Sequence, residues 1–194
     1  MQPNPEGPAA SASSHGRVRI ADYDPAWPLR FAELAASLRN ALGHVAIRID
    51  HIGSTSVPGL AAKPVIDLQI SVVRLEPVDP FGEPLQRLGF VYRFDNPERT
   101  KRYFREPPGH PRTHIHVRKG GSFSEQFALL FRDFLRGDSQ AREEYEAVKR
   151  NLAERYRMDR SGYTNAKAPI VWAIIQRADE WAQRIGWEPG PSDA

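Results

Sequence analysis

The spacing of apolar residues divides the chain into two parts. From residue 17 to about residue 120, runs of two-residue alternation mix with single helical stretches; from residue 121 onward the repeat is helical throughout. Arg17-Val18-Arg19-Ile20 alternates polar and apolar, the pattern of a short strand. Asp24-Pro25 offers a cap residue followed by proline at the first helical position. Trp27, Phe31, Leu34, Leu38 and Leu42 then recur at helical spacing until Gly43 closes the run. Ala46–Ile49 and Val65–Val72 read as strands, and the second is apolar except at Asp67, Gln69 and Ser71, which share one face. A short helix over 79–88, a strand over 90–94, its hairpin partner over 101–105 and a strand over 114–117 follow, with turn signals at 95–97 and 107–111. His114 and His116 fall on one face of that last strand.

Ser122 and Glu125 have capping-box spacing and open a helix whose stripe is Phe127, Leu130, Phe131, Phe134 and Leu135. Asp138 can cap the next helix, built on Tyr145, Val148, Leu152 and Tyr156. A last helix over 167–185 turns Ile170, Ile174, Ala178 and Trp181 inward. The Pro/Ala/Ser-rich stretch 1–16 is expected to be a disordered leader, and the Pro/Gly-rich tail 188–194 to fray. The expectation is an α/β (α+β) fold, with 17–187 as one domain made of a mixed core (17–120) and a helical part (121–187).

Composition narrows the classes. The chain has 194 residues, 40% hydrophobic and 26% charged, as an ordinary globular domain would. It has no cysteine, which removes disulfides and thiolate metal sites and is compatible with a cytoplasmic location. The formal net charge is +3 and the bases are dispersed, which argues against nucleic acid as the partner. No apolar run approaches a membrane span.

The chemistry concentrates between the two central strands. Gly53, Ser54, Thr55, Ser56 and Lys63 combine small residues, hydroxyls and one cation, a set able to surround an anion. The segment is not a Walker A loop, because Lys63 is followed by Pro64 and a strand rather than by Ser/Thr and a helix. Asp67 follows on an apolar strand, where a carboxylate needs a partner. That partner is a metal or phosphate site, a loop N–H, or Lys63. His114 and His116 supply imidazoles for a metal, a phosphate or a proton. Arg118, Lys119, the bases of 99–105 and Lys167 could line an anion pocket or form a solvated face. Arg132-Asp133 reads as a local pair on a helix surface or as a buried bidentate contact.

Residues 52–67, Ile-Gly-Ser-Thr-Ser-Val-Pro-Gly-Leu-Ala-Ala-Lys-Pro-Val-Ile-Asp, resemble the signature of the GrpB family. Tyr23-Asp24-Pro25-Ala26-Trp27, His114-Ile115-His116-Val117, Phe131-Arg132-Asp133-Phe134-Leu135 and Tyr145 with Lys149 support the resemblance, which runs from about Val18 to Ile185. It implies a nucleotidyltransferase-like fold, a mixed sheet flanked by helices. It further implies a phosphate turn at Gly53-Ser54 and a metal carboxylate at Asp67, with Mg or Mn as cofactor and a nucleotide or other phosphate compound as ligand. Related domains also occur attached to dephospho-coenzyme A kinases. In active members of that superfamily a second acid follows two positions after the first, and here Gln69 stands there. Two readings follow: metal-dependent nucleotidyl transfer to a small acceptor with Asp67, His114 and His116 as the catalytic set, or a non-catalytic binding module on a degenerate scaffold.

Overall fold

The computed structural model describes residues 17–194, so the expected leader over 1–16 lies outside the described residues. Helix α1 (Ala26–Leu42) begins where the Asp24 carboxylate accepts a hydrogen bond from the Ala26 N–H at 2.9 Å. Its spacing puts Trp27, Phe31, Ala35, Leu38 and Leu42 on one buried face. Five strands follow, interrupted by helix α2 (Asp79–Arg87): β1 (Arg48–Ile52), β2 (Ile66–Val72), β3 (Val91–Tyr92), β4 (Lys101–Arg105) and β5 (Thr113–Lys119). They form one mixed sheet in the order β1-β2-β5-β4-β3. The central pair β2–β5 is parallel and every other pair is antiparallel.

The two faces of this sheet differ in kind. Ile49, Leu68, Ile70, Ile115, Val117 and Phe104 make an apolar face against α1 and against Phe81 and Leu85 of α2. Burying each such side chain contributes roughly 1.5–3 kcal/mol, so this layer carries much of the fold. The opposite face is polar in register across four strands. Arg48 and Asp50, then Ser71, Gln69 and Asp67, then Arg118, His116 and His114, then Lys101, Tyr103 and Arg105 stand side by side.

Helix α3 (Phe123–Gly137) crosses that polar face and supplies matching partners. Glu125 takes hydrogen bonds from the Ser71 hydroxyl and, at 2.6 Å, from the Gly121 N–H. Gln69 accepts from Arg118 and donates to the Glu125 carbonyl at 3.4 Å. The Arg132 guanidinium is 3% exposed, so of the two readings of Arg132-Asp133 the structure has the buried one. Arg132 donates to the His51 carbonyl at 3.1 Å and to Asp133 at 2.7 Å. The helix presents charge inward because the sheet beneath it is polar.

The C-terminal helices are α4 (Ser139–Arg155), α5 (Arg160–Ala166) and α6 (Ala168–Ile185). Phe134, Leu135, Tyr145, Ile174, Ile175 and Ala178 pack with Val57 and Leu60 of the loop after β1, tying this layer to the sheet. Helix α5 has no counterpart in the apolar pattern. Its seven residues are mostly polar, and its signal is Asp159, whose carboxylate accepts from the Gly162 N–H at 2.8 Å. The expected strand at Arg17–Ile20 is also absent. That segment lies along α4, with the Val18 N–H donating to the Arg157 carbonyl at 2.8 Å and the Val18 side chain packing on Ala153 and Tyr163. Only Ala21 makes a bridge, to Ala62. Strand β1 sits further along than expected, because its buried Asp50 and His51 disguise the alternation.

The tail over 188–194 does not fray. The Ser192 hydroxyl accepts from the Ile49 N–H at 2.8 Å and donates to the Ile49 carbonyl at 3.0 Å. The Asp193 carboxylate accepts from the His51 N–H at 2.9 Å and from Arg132 at 2.8 Å. These side chains satisfy edge groups of β1 that a neighbouring strand would otherwise meet. Among the described residues no helix is long and apolar enough to cross a membrane. Because Asp193 closes a hydrogen bond to a buried guanidinium, Asp193→Ala should lower stability by about 2 kcal/mol. Urea unfolding at pH 7 checks this, and an unchanged midpoint would mean that the tail is detached.

Candidate functional site

Parallel pairing of β2 with β5 sets Asp67 directly beside His114. The His114 Nδ1 lies 2.9 Å from the Asp67 Oδ1, and the His116 Nε2 lies 3.5 Å from the same oxygen. One ligand atom from each of the three residues falls within 4.8 Å of the others. The carboxylate therefore meets the imidazoles rather than Lys63. Burial pushes the Asp67 carboxyl up, but the hydrogen bonds from His114 and His116 prevail and hold it well below the usual carboxylate range. Burial lowers His116 to about 4, against the partial support of Asp67. The far nitrogens, His114 Nε2 and His116 Nδ1, are buried with no protein partner. Tyr103 closes the sheet side, with its ring 5.5 Å from His114 and 5.3 Å from His116.

The loop after β1 forms the rim. Gly53 adopts φ +70°, and a Cβ placed there would lie 2.7 Å from the Asp67 Oδ2, so only glycine lets the turn sit on the carboxylate. The three hydroxyls that follow have different fates. The Thr55 hydroxyl donates to the Val65 carbonyl at 3.1 Å, which leaves its oxygen to accept from His51 Nε2–H at 3.0 Å. The Ser56 hydroxyl donates to the Gly53 carbonyl at 2.6 Å. Both residues are buried and act within the loop, which leaves Ser54 as the free hydroxyl at the rim. His51, stacked on Phe31 at 4.6 Å, is lowered to about 4 by burial and by nearby Arg136.

Asp67, His114, His116 and the Gly53–Thr55 turn floor a cavity of about 360 Å³. The rest of its lining is mostly cationic and aromatic: Lys63, Lys149, Lys167 and Arg160, with Tyr145, Tyr163 and Phe131. Lys63 stands 4.5 Å from the Tyr163 ring centre and Lys149 stands 4.6 Å from that of Tyr145. Burial, then the charge of Lys167, lowers Lys63 to about 8 and Lys149 to about 7. The Tyr145 hydroxyl beside Lys167 keeps that ammonium raised. Of the other bases considered from sequence, Arg118 is buried on Gln69, Arg102 pairs with Glu76 at the surface, and Lys119 is exposed. Arg160, Tyr163 and Thr164 enter the cavity from α5, the helix that the apolar pattern does not reveal.

The GrpB protein family profile matches residues 17–177. The chain belongs to the GrpB family. The crystal structure of the conserved protein GrpB from Enterococcus faecalis superposes with a TM-score of 0.76 at 31% identity, covering 84% of this chain and 99% of that one. A UPF0157 protein of Pseudomonas aeruginosa is 37% identical over 91% of this chain and 74% of its own length. A dephospho-CoA kinase of Mycolicibacterium paratuberculosis is 36% identical over 89% of this chain and 48% of its own length, so the chain spans about half of that relative. The Cid1 poly(U) polymerase with Mg 3′-dATP bound superposes with a TM-score of 0.53 at 16% identity, over 76% of this chain and 49% of that one. That likeness shows a nucleotidyltransferase-like fold.

Two predictions follow from this geometry. Gly53→Ala should destabilise by about 2 kcal/mol more than Gly59→Ala in urea unfolding. Both glycines have positive φ, but a Cβ at Gly59 meets nothing within 4 Å. Adding Asp67→Ala should erase most of that difference, and its persistence would place the strain elsewhere. The second prediction concerns pH. His51 and His116 bind protons in the folded chain only near pH 4, against 6.5 in the open chain. Their contribution is complete above pH 6.5 and is lost as pH falls towards 4; Asp67, whose folded pKa is depressed, adds a loss only below the open-chain value of 3.8. Metal-free protein at pH 5 should therefore take up about two extra protons on unfolding, a slope of roughly 2.4 kcal/mol per pH unit. His51→Gln should remove about half of it, and a flat profile from pH 7 to 5 would refute the assignment.

Proposed function

We propose that the cavity binds a nucleotide or another phosphate compound with one divalent metal ion and transfers a nucleotidyl group to a small acceptor. The observation that carries this reading is the presence, in one cavity, of the Asp67–His114–His116 floor and a wall of Lys63, Lys149 and Lys167. The donor set fits a single ion: one ionised carboxylate and two neutral imidazoles converge on one point. Imidazole favours manganese and its transition-metal neighbours over magnesium, and Gln69 is held by Arg118 and Glu125 instead of offering a second carboxylate. When bound, the ion would supply a Lewis acid that offsets charge on the phosphate oxygens.

The chain's own groups do the rest. Ser54 and the Gly53–Ser54 backbone face the phosphates at the rim. The lysines neutralise the phosphate chain and the leaving pyrophosphate as the acceptor hydroxyl oxygen bonds to the α-phosphorus, the bond from the α-phosphorus to the pyrophosphate oxygen breaks, and the hydroxyl proton passes to water. Phe131, Tyr145 and Tyr163 exclude water from the wall. The Mg 3′-dATP bound by Cid1 supports the reading by likeness of fold alone. The lack of cysteine supports a cytoplasmic setting. Gln69 in place of an acid favours a second reading, metal-linked phosphate binding without turnover.

Calorimetry with ATP, GTP, CTP and UTP, each with Mn²⁺, tests the first part. At least one nucleotide should bind, and Asp67→Asn and Lys63→Ala should each weaken it at least tenfold. No binding by any of the four, or binding unchanged in both variants, would remove the proposal. Release of pyrophosphate that disappears in Asp67→Asn separates transfer from binding alone.

A further inference from the structure

Two groups of cations stand by the Asp67–His114–His116 floor. The lysines are one. Beside His114, three guanidiniums come together from separate parts of the chain, near enough to Lys63 that, after burial and Lys167, the charges of Arg160 and Arg112 lower it. Arg105 is the β4 residue directly opposite His114 in the antiparallel ladder, so the two side chains share a face. Arg112 enters from the segment before β5, where its carbonyl accepts from the Ile66 N–H at 3.1 Å. Arg160 enters from α5 and lines the same cavity as His114. The charges of Arg112 and Arg105 both bear on Arg160, after burial the largest influences on it.

Their partners do not balance them. The one carboxylate within this group is Glu106, whose Oε1 takes the Arg105 Nη2 at 2.5 Å while its Oε2 accepts from the Thr113 N–H at 3.1 Å. Among the described residues Arg112 and Arg160 form no ion pair. The Arg105 Nε and Arg112 Nη2 are buried with no hydrogen-bond acceptor at all. A buried donor on a charged group left without an acceptor is costly, and two such donors in one place imply an absent acceptor. Three guanidiniums against one carboxylate leave an excess of two positive charges beside His114.

We propose that Arg105, Arg112 and Arg160 form a second anion subsite, next to the lysine wall, that takes a phosphate monoester dianion. The charge matches a dianion. Several guanidinium forks arriving from different directions suit the oxygens of a tetrahedral group, whereas a carboxylate needs only one fork. In the reading given under Proposed function, on which this role rests, the subsite anchors the acceptor, so the acceptor carries a phosphate of its own. Binding of the anion itself needs neither the metal nor the nucleotide.

Inorganic phosphate titrated by calorimetry into metal-free protein at pH 7 is the direct probe. Arg112→Gln and Arg105→Gln should each weaken phosphate at least tenfold, Lys63→Ala less than threefold, and Arg112→Lys should recover only part of the loss. Phosphate should still bind when the Mn²⁺–nucleotide complex is already in place, and succinate should bind at least tenfold more weakly than phosphate. A tungstate soak of unsubstituted crystals should show the oxyanion within hydrogen-bond reach of Arg105 and Arg112, a readout that does not depend on folding of the variants. Phosphate affinity unchanged in both arginine variants, displacement of phosphate by nucleotide, succinate binding as tightly, or tungstate on the lysines alone would each overturn the subsite. Failure of every nucleotide to bind, with phosphate still lost in the arginine variants, would instead sink the reading of the lysine side and leave this one standing.

Discussion

The parallel pairing of β2 with β5 places Asp67 beside His114 and His116, and the rest of the molecule is arranged around that contact. A carboxylate and two imidazoles on adjacent central strands would be expensive in a sheet covered by apolar helices on both sides. The chain avoids this by giving its sheet two unlike faces. The apolar face supplies the burial that stabilises the layer. The polar face is covered by a helix that brings Glu125 and Arg132 down to meet Ser71, Gln69 and the β1 backbone. The site is the end of that face where the cover stops and the loop, α4 and α5 leave a gap.

Charge within the gap follows one rule: cations outnumber acids, and most are partly desolvated. Burial lowers Lys63 to about 8, which leaves it mostly charged at neutral pH, and Lys149 to about 7, which leaves it partly neutral. An arriving anion would restore the charge of Lys149, so binding and proton uptake are linked through that group. The aromatic rings beneath the ammonium groups soften the cost of holding them in the empty cavity.

Much of this was legible in the sequence and the remainder was not, for physical reasons. The strands over 65–72 and 101–105, the helix ends at Asp24 and Asp138, and the shared face of His114 and His116 all come from local periodicity and capping, which do not depend on what packs above. The Gly53–Asp67 segment was legible as a unit because small residues, hydroxyls and one lysine stand between two strand-like runs, but the seating of Gly53 on the Asp67 carboxylate was not. What packs across the chain could not be read locally. Thr55 and Ser56 look like phosphate donors until the structure shows their hydroxyls holding His51, Val65 and Gly53. For Arg132 the sequence leaves a surface and a buried reading open, and only the polar sheet beneath it decides between them. Helix α5, with Arg160 and Tyr163, has no apolar repeat and announces itself through one cap residue.

The placement of Ser192 and Asp193 against β1 bears on how the protein behaves when crowded. A mixed sheet has two borders, and each is a template on which another copy could add a strand. At one border β3 is only two residues long, too short to seed growth. At the other, hydroxyl and carboxylate side chains occupy edge N–H groups of β1 without presenting a new strand border of their own. The sheet is thus guarded against edge-to-edge polymerisation at both limits by different means, one by brevity and one by a plug.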